Sequence, residues 1–292
     1  MVFNFINIVQ GEMEKEQIIK LLSHGMKIRE QALKAVQVPN SGHIGGSFSE
    51  ADILAVLYFD KMNIDPENPR MQDRDRFVLS KGHASPGLYA TLALRGFFPV
   101  EELKTFRNVD SDLSGHVEMT KVRGVDMSAG SLGQGLSAAV GMAVSGQIYQ
   151  KEYRVYAMVG DGEIQEGQIW EAVMAAGNYK LDNLMLFVDN NNLQIDGTVE
   201  EIMSPYPIDD KFKAFNWNVI CIDGHDPEAI ADAVEQAKSF KGRPTVAIAK
   251  TVKGKGVSFM ENNVNWHGKT PSPEQYEQAF KEIREQIEEL EV

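Results

Sequence analysis

Two short apolar runs with a helix-sized segment between them constrain the fold of this chain most strongly. The runs cover residues 155–159 and 184–188; a Gly-Asp-Gly motif at 160–162 follows the first, and an Asn-Asn pair at 190–191 follows the second. Strand, helix and strand in this order are typical of a βαβ unit with parallel neighbouring strands. Because parallel strands end at the same edge of a sheet, we expect both polar motifs at one ligand-binding edge.

The polar residues at that edge suit a metal ion that holds a diphosphate. Asp161 offers a carboxylate and Asn191 an amide oxygen, and Mg²⁺ takes oxygen ligands while keeping substrate phosphates in its shell. Each motif alone is also a common turn, in which glycine supplies positive φ and aspartate closes an Asx hydrogen bond. Turn chemistry does not explain why a strand precedes each motif at this spacing. The joint pattern therefore predicts a site for a metal and a diphosphate.

The rest of the chain continues the alternation of strands and helices. Further strands are predicted at 76–80, 217–222 and 245–249, and helices at 15–36, 51–58, 87–94, 101–107, 136–149, 228–240 and 273–290. This order predicts an α/β fold, with a mostly parallel sheet covered by helices on both faces. We divide the chain into an N-terminal extension over 1–12 and a single domain over 13–292.

Composition excludes several classes of partner. The 292 residues carry a net charge of −13, which argues against nucleic acid and anionic membranes, since both attract basic surfaces. No apolar run reaches membrane-spanning length, and residues 1–6 lack the basic flank of a signal peptide. The single cysteine, Cys221, fits a reducing compartment, and its strand-like surroundings predict a buried, inert thiol. We therefore expect a cytoplasmic protein that binds neither nucleic acid nor membranes.

Histidines beside glycines are the next informative feature. Glycine lets the backbone approach a ligand, and histidine supplies a hydrogen-bond donor or a proton carrier near neutral pH. Any one of these residues is typical of an ordinary loop, but the repeated setting favours a role in a site. Zinc is the competing interpretation, although short His or Cys spacings are missing. The histidines concerned are His43, His83, His116 and His267, whereas His24 and His225 are assigned structural roles.

Five motifs, in order along nearly the whole chain, resemble the N-terminal half of transketolase, which split transketolases encode as a separate polypeptide. They lie at 41–47, 73–84, 130–135, 160–167 and 250–256. The Gly-Asp-Gly and Asn-Asn pair alone is typical of the wider class of thiamine diphosphate-dependent enzymes. The resemblance implies the thiamine diphosphate-binding fold, with this chain as its diphosphate-binding domain and as the N-terminal subunit of a split transketolase.

The resemblance also implies roles for the polar residues at the strand ends. The side chains of Asp161 and Asn191, with the backbone carbonyl of Leu193, would hold Mg²⁺ on the diphosphate of thiamine diphosphate. Gly160 and Gly162 would let the chain pass close to the phosphates.

For the remaining site residues the resemblance implies contacts around the cofactor and the sugar. His83 and His267 would contact the diphosphate or the reacting centre, and His43 and His116 would line the donor pocket. A second group would serve the cofactor. In it Gly130 and Leu132 contact the aminopyrimidine ring, Lys253 reaches the phosphates, and Glu166 and Glu171 form a carboxylate network at the contact with a partner. Glu166 and the four histidines are counted as catalytic, and Glu166, His83 and His267 also as cofactor-binding.

The implied activity is transfer of a two-carbon ketol unit from a ketose phosphate to an aldose phosphate, as in the pentose phosphate pathway. No segment resembles the pyrimidine-binding domain that supplies an activating glutamate to the cofactor. We therefore expect the partner to be a C-terminal transketolase subunit, in an α2β2 heterotetramer. Ile44 and Val117 stand where the family commonly has proline, and we expect both changes to loosen loops near the substrate.

Three alternatives stay open at this point. A related thiamine diphosphate enzyme would act on other substrates, as a 1-deoxyxylulose-5-phosphate synthase-like enzyme or a specialised sugar transketolase does. A binding or regulatory module would keep the fold without turnover. A phosphate-binding protein without thiamine is the third, although the Gly-x-Gly-x-x-Gly motif of dinucleotide enzymes is missing.

Overall fold

A parallel sheet forms the centre of the molecule. The computed structural model describes residues 13–291, so the predicted extension over 1–12 lies outside the described residues. The strands are β1 (Arg76–Leu79), β2 (Val155–Gly160), β3 (Leu184–Asn190), β4 (Leu193–Gln194), β5 (Gly197–Thr198), β6 (Asn218–Asp223) and β7 (Thr245–Lys250). Five of them form one parallel sheet in the order β1-β2-β3-β7-β6, and β4 pairs with β5 in an antiparallel hairpin. The predicted parallel sheet is confirmed.

Helices occupy most of the segments between the strands. They are α1 (Lys15–Gln37), α2 (Ile44–Ser49), α3 (Ala51–Val56), α4 (Ser85–Arg95), α5 (Gln134–Ile148), α6 (Gly167–Asn178), α7 (Val199–Met203), α8 (Ile208–Ala214), α9 (Pro227–Ser239) and α10 (Pro273–Glu291). The long amphipathic helices begin and end within a few residues of their predicted bounds. The helix predicted at 101–107 is instead a 3₁₀ segment over Val100–Thr105.

The sheet buries a different core on each face, because successive side chains of a strand point to opposite sides. On β2, Tyr156 and Met158 pack into the core formed with α1, α3, α4, α9 and α10. Their neighbours Ala157 and Val159 pack into the core formed with α5, α6 and α8. Both faces are therefore covered, as the near-continuous apolar runs predict.

Strand register brings the carboxyl ends of the central strands together. Gly160 pairs with Asp189, and Asn190 pairs with Lys250. The chain therefore leaves β2, β3 and β7 at one edge of the sheet. The expectation that the Gly-Asp-Gly and Asn-Asn motifs lie at one edge is confirmed.

Cys221 departs from the sequence prediction. It is exposed, because β6 is the edge strand of the sheet and pairs with β7 alone. An apolar strand sequence therefore did not imply burial here, and the expected buried thiol is wrong. Among the helices within residues 13–291, none has both the length and the apolarity needed to cross a bilayer.

Candidate active site

A cavity of about 380 Å³ opens at the carboxyl edge of the sheet. Every residue that the sequence assigned to catalysis, cofactor or metal lines it: His43, His83, His116, Gly130, Leu132, Gly160, Asp161, Gly162, Glu166, Asn191, Leu193, Lys253 and His267. Residues that sequence reasoning did not single out also line it, among them Lys81, Glu163 and Asp189. The structure thus gathers the predicted residues in one place, and their individual roles stay predictions.

Asp161 is one of the buried carboxylates of this cavity, with 2% of its surface exposed. Its Oδ2 accepts hydrogen bonds from the Asn192 backbone N–H at 2.5 Å and from Asn190 Nδ2 at 3.1 Å. Its Oδ1 accepts the Gly162 N–H at 2.8 Å. Burial, and next the charge of Asp189, raise the pKa of Asp161 to about 6. The cavity therefore contains a fixed carboxylate whose charge is incompletely balanced, as a cation site needs.

The Asn191–Leu193 turn supplies the other oxygens. Asn191 is buried, and its Oδ1 accepts the Leu193 N–H at 3.1 Å. The Leu193 carbonyl accepts a hydrogen bond from the Lys253 ammonium at 2.7 Å. Burial lowers the pKa of Lys253 to about 8, which the nearby Asp161 partly opposes. The carbonyl oxygen assigned to a metal therefore already contacts a positive group.

Carboxylate, amide and carbonyl oxygens are the donors that a hard cation takes. Within residues 13–291, no group of three or more His, Cys, Asp or Glu side chains is arranged to hold a metal. A metal at this edge would consequently depend on mixed oxygen donors. Asp161, Asn191 and the Leu193 carbonyl fit that requirement.

A buried ionic cluster lies beneath the same end of the cavity, and sequence reasoning missed it. Lys81 Nζ is 2.6 Å from Asp189 Oδ2 and 2.8 Å from Glu50 Oε2. Although burial alone would raise the pKa of Asp189, Lys81 holds it below its ordinary value, whereas burial raises the pKa of Glu50 to about 8. Asp189 also accepts the hydroxyl hydrogen bonds of Ser49 and Thr251. A detectable signal was that Lys81 and Asp189 each come directly after an apolar run, at 76–80 and at 184–188.

Glu163 is a further residue that sequence reasoning missed. Its carboxylate is 3% exposed and accepts hydrogen bonds from the Ser80 hydroxyl, the Gly133 N–H at 2.9 Å and the Gly160 N–H at 3.0 Å. It thereby joins three loops, which follow β1, precede α5 and follow β2. Burial raises the pKa of Glu163, although these hydrogen bonds lower it in part. The acidic residue directly after the Gly-Asp-Gly motif was the available signal.

Four histidine rings lie together in the cavity; we call this cluster the histidine end, which meets the charged residues where His267 Nδ1 lies 3.0 Å from Lys253 Nζ. The ring centroid of His43 is 5.1 Å from that of His83, 5.5 Å from His267 and 6.3 Å from His116. Burial is the largest cause of a lowered pKa in each, to about 4 for His43, 2 for His83 and 3 for His267; His116 is shifted in the same direction. Neighbouring cations add to these shifts, Arg107 at His43 and His116, Lys81 at His83 and Lys253 at His267. All four rings are therefore neutral at pH 7.

Ile44 and Val117, the two departures from the family pattern, lie in packed surroundings. Both side chains are buried. The Val117 N–H donates a hydrogen bond to the Gly82 carbonyl at 3.3 Å, and proline has no N–H to make it. A valine at this position thus allows a hydrogen bond between the loops of His83 and His116 that proline could not make, and the expectation of looser loops stays a prediction.

One wall of the site faces solvent. Leu132 and Glu166 are exposed, and so is Glu171, which lies on α6 and does not line the cavity. The adjacent helix α5 contains no charged residue, although a quarter of the chain is charged. Exposed but uncharged helix surface beside a site is typical of a surface that another chain covers.

Comparisons with known proteins agree on one family. The family model "Transketolase, thiamine diphosphate binding domain" matches residues 23–285. The chain is 46% identical over 271 residues to the 6-deoxy-6-sulfo-D-fructose transketolase subunit SqwG of Clostridium sp. (strain MSTE9), covering 93% of this chain and 98% of the relative. It is 42% identical over 275 residues to an apulose-4-phosphate transketolase subunit of Phocaeicola vulgatus, covering 94% and 98%.

Longer relatives match over part of their length. Human transketolase is 42% identical over 277 residues, which are 94% of this chain and 44% of the human protein. The crystal structure of transketolase from Campylobacter jejuni superposes with a TM-score of 0.85 at 35% identity, covering 92% of this chain and 45% of that one. This chain therefore spans less than half of these two relatives.

Proposed function

This chain belongs to the transketolase family, as its N-terminal, thiamine diphosphate-binding domain, and from that premise we propose its reaction. It transfers a two-carbon ketol unit from a ketose phosphate to an aldose phosphate, using thiamine diphosphate and Mg²⁺ together with a separate C-terminal subunit. The supporting observation is the cavity that joins the oxygen donors at the strand ends to four neutral histidines.

Mg²⁺ is proposed at the strand-end side of the cavity. Asp161, Asn191 and the Leu193 carbonyl would hold it, and it would neutralise the charge of the diphosphate. Lys253 would contact the same phosphates, because its ammonium donates a hydrogen bond to the Leu193 carbonyl and therefore lies beside the proposed metal site. Gly160 and Gly162 leave room there, since their backbone lines the cavity without a side chain.

Bound thiamine diphosphate supplies the carbon centre that accepts and releases the ketol unit. The chain's own contribution is to fix that cofactor and to handle protons on the sugar. A neutral imidazole both accepts a proton on one nitrogen and donates from the other, which suits His43 and His116 for hydrogen bonds to sugar hydroxyls. His267 has one nitrogen fewer for the sugar, because its Nδ1 lies 3.0 Å from the Lys253 ammonium and accepts a hydrogen bond from it.

A C-terminal subunit with a pyrimidine-binding domain is the proposed partner, in an α2β2 assembly. Relatives of nearly the same length as this chain are named as subunits. The exposed wall with Leu132, Glu166, Glu171 and the uncharged α5 is where that partner would bind, and the two glutamates would lie at the contact. We place the assembly in the cytoplasm, in the pentose phosphate pathway or a related sugar pathway.

A second candidate is a specialised sugar transketolase. It is favoured by the names of the relatives at 46% and 42% identity, which specify 6-deoxy-6-sulfo-D-fructose and apulose 4-phosphate. A 1-deoxyxylulose-5-phosphate synthase-like activity is the more distant alternative, since no relative named above carries it.

Reconstitution with the partner tests the proposal. The chain is purified from its native source, the co-purifying protein is identified, and the two are expressed together. Ketol transfer is then measured in three separate assays, with xylulose 5-phosphate, 6-deoxy-6-sulfo-D-fructose or apulose 4-phosphate. In each assay the sugar is either supplied as the donor or detected as the product. The same complex carrying Asp161→Asn is the control for contaminating activity. Transfer that needs both chains and thiamine diphosphate supports the proposal, whereas robust turnover by this chain alone refutes the division of labour.

A further inference from the structure

A buried chain of polar contacts lies outside the cavity and ends at its edge. Arg29 Nη1 and Nη2 contact the two oxygens of Asp52 at 2.8 and 2.6 Å. The two residues are 1% and 4% exposed. Burial alone would raise the pKa of Asp52, but Arg29 and then His225 lower it to about 2. Asp52 is therefore a carboxylate anion that can only accept hydrogen bonds.

His225 extends this chain of contacts by one step. Its Nδ1 lies 2.7 Å from Asp52 Oδ2, and its Nε2 accepts the Val252 backbone N–H at 2.9 Å. Because the carboxylate cannot donate, the proton of the neutral ring must lie on Nδ1, which leaves the Nε2 lone pair for Val252. The tautomer of His225 is thus set by Arg29 and Asp52.

The accepted N–H belongs to the residue directly before Lys253. On either side of it, Thr251 is held by Asp189 and the Gly254 N–H donates to the Gly45 carbonyl at 3.1 Å. His225 is the side chain that fixes the segment between these two points. The Lys253 ammonium extends from this segment to the Leu193 carbonyl.

We propose that His225 is a positioning residue: held by Arg29 and Asp52, it anchors the 251–254 segment so that Lys253 is directed into the active-site cavity. The inference rests on the proposed function, because the expected benefit is tighter binding of the diphosphate of the cofactor. His225 itself lines a separate cavity of about 430 Å³, together with Met26, Arg29 and Lys255. It therefore acts through Lys253 and does not touch the cofactor.

Three variants in the two-chain complex test this role. His225→Leu removes the acceptor, whereas His225→Gln offers a side-chain carbonyl that can accept the Val252 N–H. His24→Gln is the matched control, because His24 stacks on Phe59 with ring centroids 3.9 Å apart and takes no part in the network. Calorimetry with thiamine diphosphate and Mg²⁺ gives cofactor affinity, steady-state kinetics give KM for the sugars, and hydrogen exchange reports on the Val252 amide.

We expect His225→Leu to weaken cofactor binding by about 10–100-fold, the usual range when a group that orients a ligand-binding residue is removed. The sugar KM should stay unchanged, and the Val252 amide should exchange faster. His225→Gln should recover most of the affinity, and His24→Gln should match the wild type. Cofactor affinity that is equal in wild type and His225→Leu, or equally weak in His225→Gln, overturns the positioning role.

A second route covers a His225→Leu variant that fails to fold. His225→Ala leaves a gap beside the separate cavity, which added imidazole can enter, so imidazole should restore cofactor affinity in a concentration-dependent way. Loss of affinity without recovery overturns the proposal. Failure of the proposed function is seen separately: the wild-type complex then binds no thiamine diphosphate. Hydrogen exchange still tests the anchor in that case, and an unchanged rate at Val252 in His225→Ala refutes it.

Discussion

The two ends of the active-site cavity handle charge in opposite ways. At the strand-end side, Asp161, Lys253 and the Lys81–Asp189 pair keep formal charges close together in buried surroundings. At the histidine end, burial removes the charge, because the pKa values of the rings fall far below neutrality. Charge is therefore concentrated where a metal and a diphosphate would bind, and the histidines assigned to the sugar and to the reacting centre present neutral hydrogen-bonding groups.

The contrast has a structural origin. Asp161 and Asp189 lie at the ends of hydrogen-bonded strands, so the register of the sheet fixes their positions. Lys81 and Lys253 lie two and three residues beyond β1 and β7. The histidines come from loops and short helical turns and are held by contacts between loops, such as the Val117 N–H to the Gly82 carbonyl. Substitutions that remove a charge should consequently act most strongly at the first end.

Lys81→Met should give the largest effect on stability. It leaves Asp189 buried without its cation, and removing one partner of a buried ion pair costs about 3–5 kcal/mol of the free energy of unfolding. Urea denaturation of wild type and variant measures the loss. Lys27→Met is the control, because the Lys27–Glu291 pair is exposed and should matter little. Equal stability losses in the two variants would show that the buried cluster is not a stabilising feature of this end.

Asp161→Asn should give the largest effect on cofactor binding. The amide keeps the shape of the side chain but removes the charge that would face Mg²⁺, so we expect Mg²⁺-dependent affinity for thiamine diphosphate to fall by about 10²–10³-fold. Calorimetry on the two-chain complex, with and without Mg²⁺, measures it. Asp196→Asn, an exposed carboxylate lining the same cavity, should bind normally. Binding by Asp161→Asn that still depends on Mg²⁺ as in wild type would remove Asp161 from the metal site.

How much the sequence could predict also differs between the ends. Asp161 and Asn191 were predictable as neighbours because each follows an apolar strand, and parallel strands end at one edge. The histidines were found only as a repeated local setting, since no periodicity relates loops that are distant in sequence. The family resemblance assigned His43 and His116 to the donor pocket and the other two to the diphosphate or the reacting centre. The structure brings the rings of all of them within 6.3 Å of His43.

Buried support residues were the part that sequence reasoning could not reach. Glu163, Lys81 and His225 each have a partner that is distant in the chain. These partners are Gly133, Asp189 and Asp52, which lie 30, 108 and 173 positions away. Local position beside an apolar run or a glycine motif marks such residues, but nothing local shows which partner they contact. The predicted burial of Cys221 was wrong because a local pattern was present but did not determine exposure. An edge strand and a central strand share the same local apolar pattern, and only the strand order decides which is exposed.

Glu163→Ala should have an intermediate effect that reaches both ends. The Gly133 and Gly160 N–H groups would lose a buried acceptor, which costs about 1–3 kcal/mol for each unpaired group, and the loops on either side of the cofactor would no longer share an anchor. We expect cofactor affinity to fall by about 10–100-fold. Glu171→Gln, at an exposed position of α6, tests whether loss of any nearby glutamate lowers stability in this way. An unchanged Tm and affinity in Glu163→Ala would contradict the role of Glu163 in joining these loops.

The neutral histidines should produce the smallest effect, visible as acid sensitivity. A ring whose pKa falls from 6.5 to about 2 on folding, as for His83, is neutral in the folded chain while the unfolded chain takes up a proton below pH 6.5. Stability is thus fully present above pH 6.5 and is lost as the pH falls. From pH 6.5 to pH 4.5, the free energy of unfolding should fall by about 1–2 kcal/mol more in the wild type than in His83→Gln.

Urea denaturation of both proteins at pH 7.0, 5.5 and 4.5 measures this difference in slope, and the histidine Cε1–H resonances of the wild type give an independent reading. Because a neutral ring does not titrate, the His83 resonance should stay constant from pH 8 to pH 5. A midpoint near 6.5 would mean that the ring is charged in mildly acidic solution. The two ends of the cavity would then no longer differ in the way they handle charge, since a protonated His83 beside Lys81 and Lys253 would extend the charged end across the cavity.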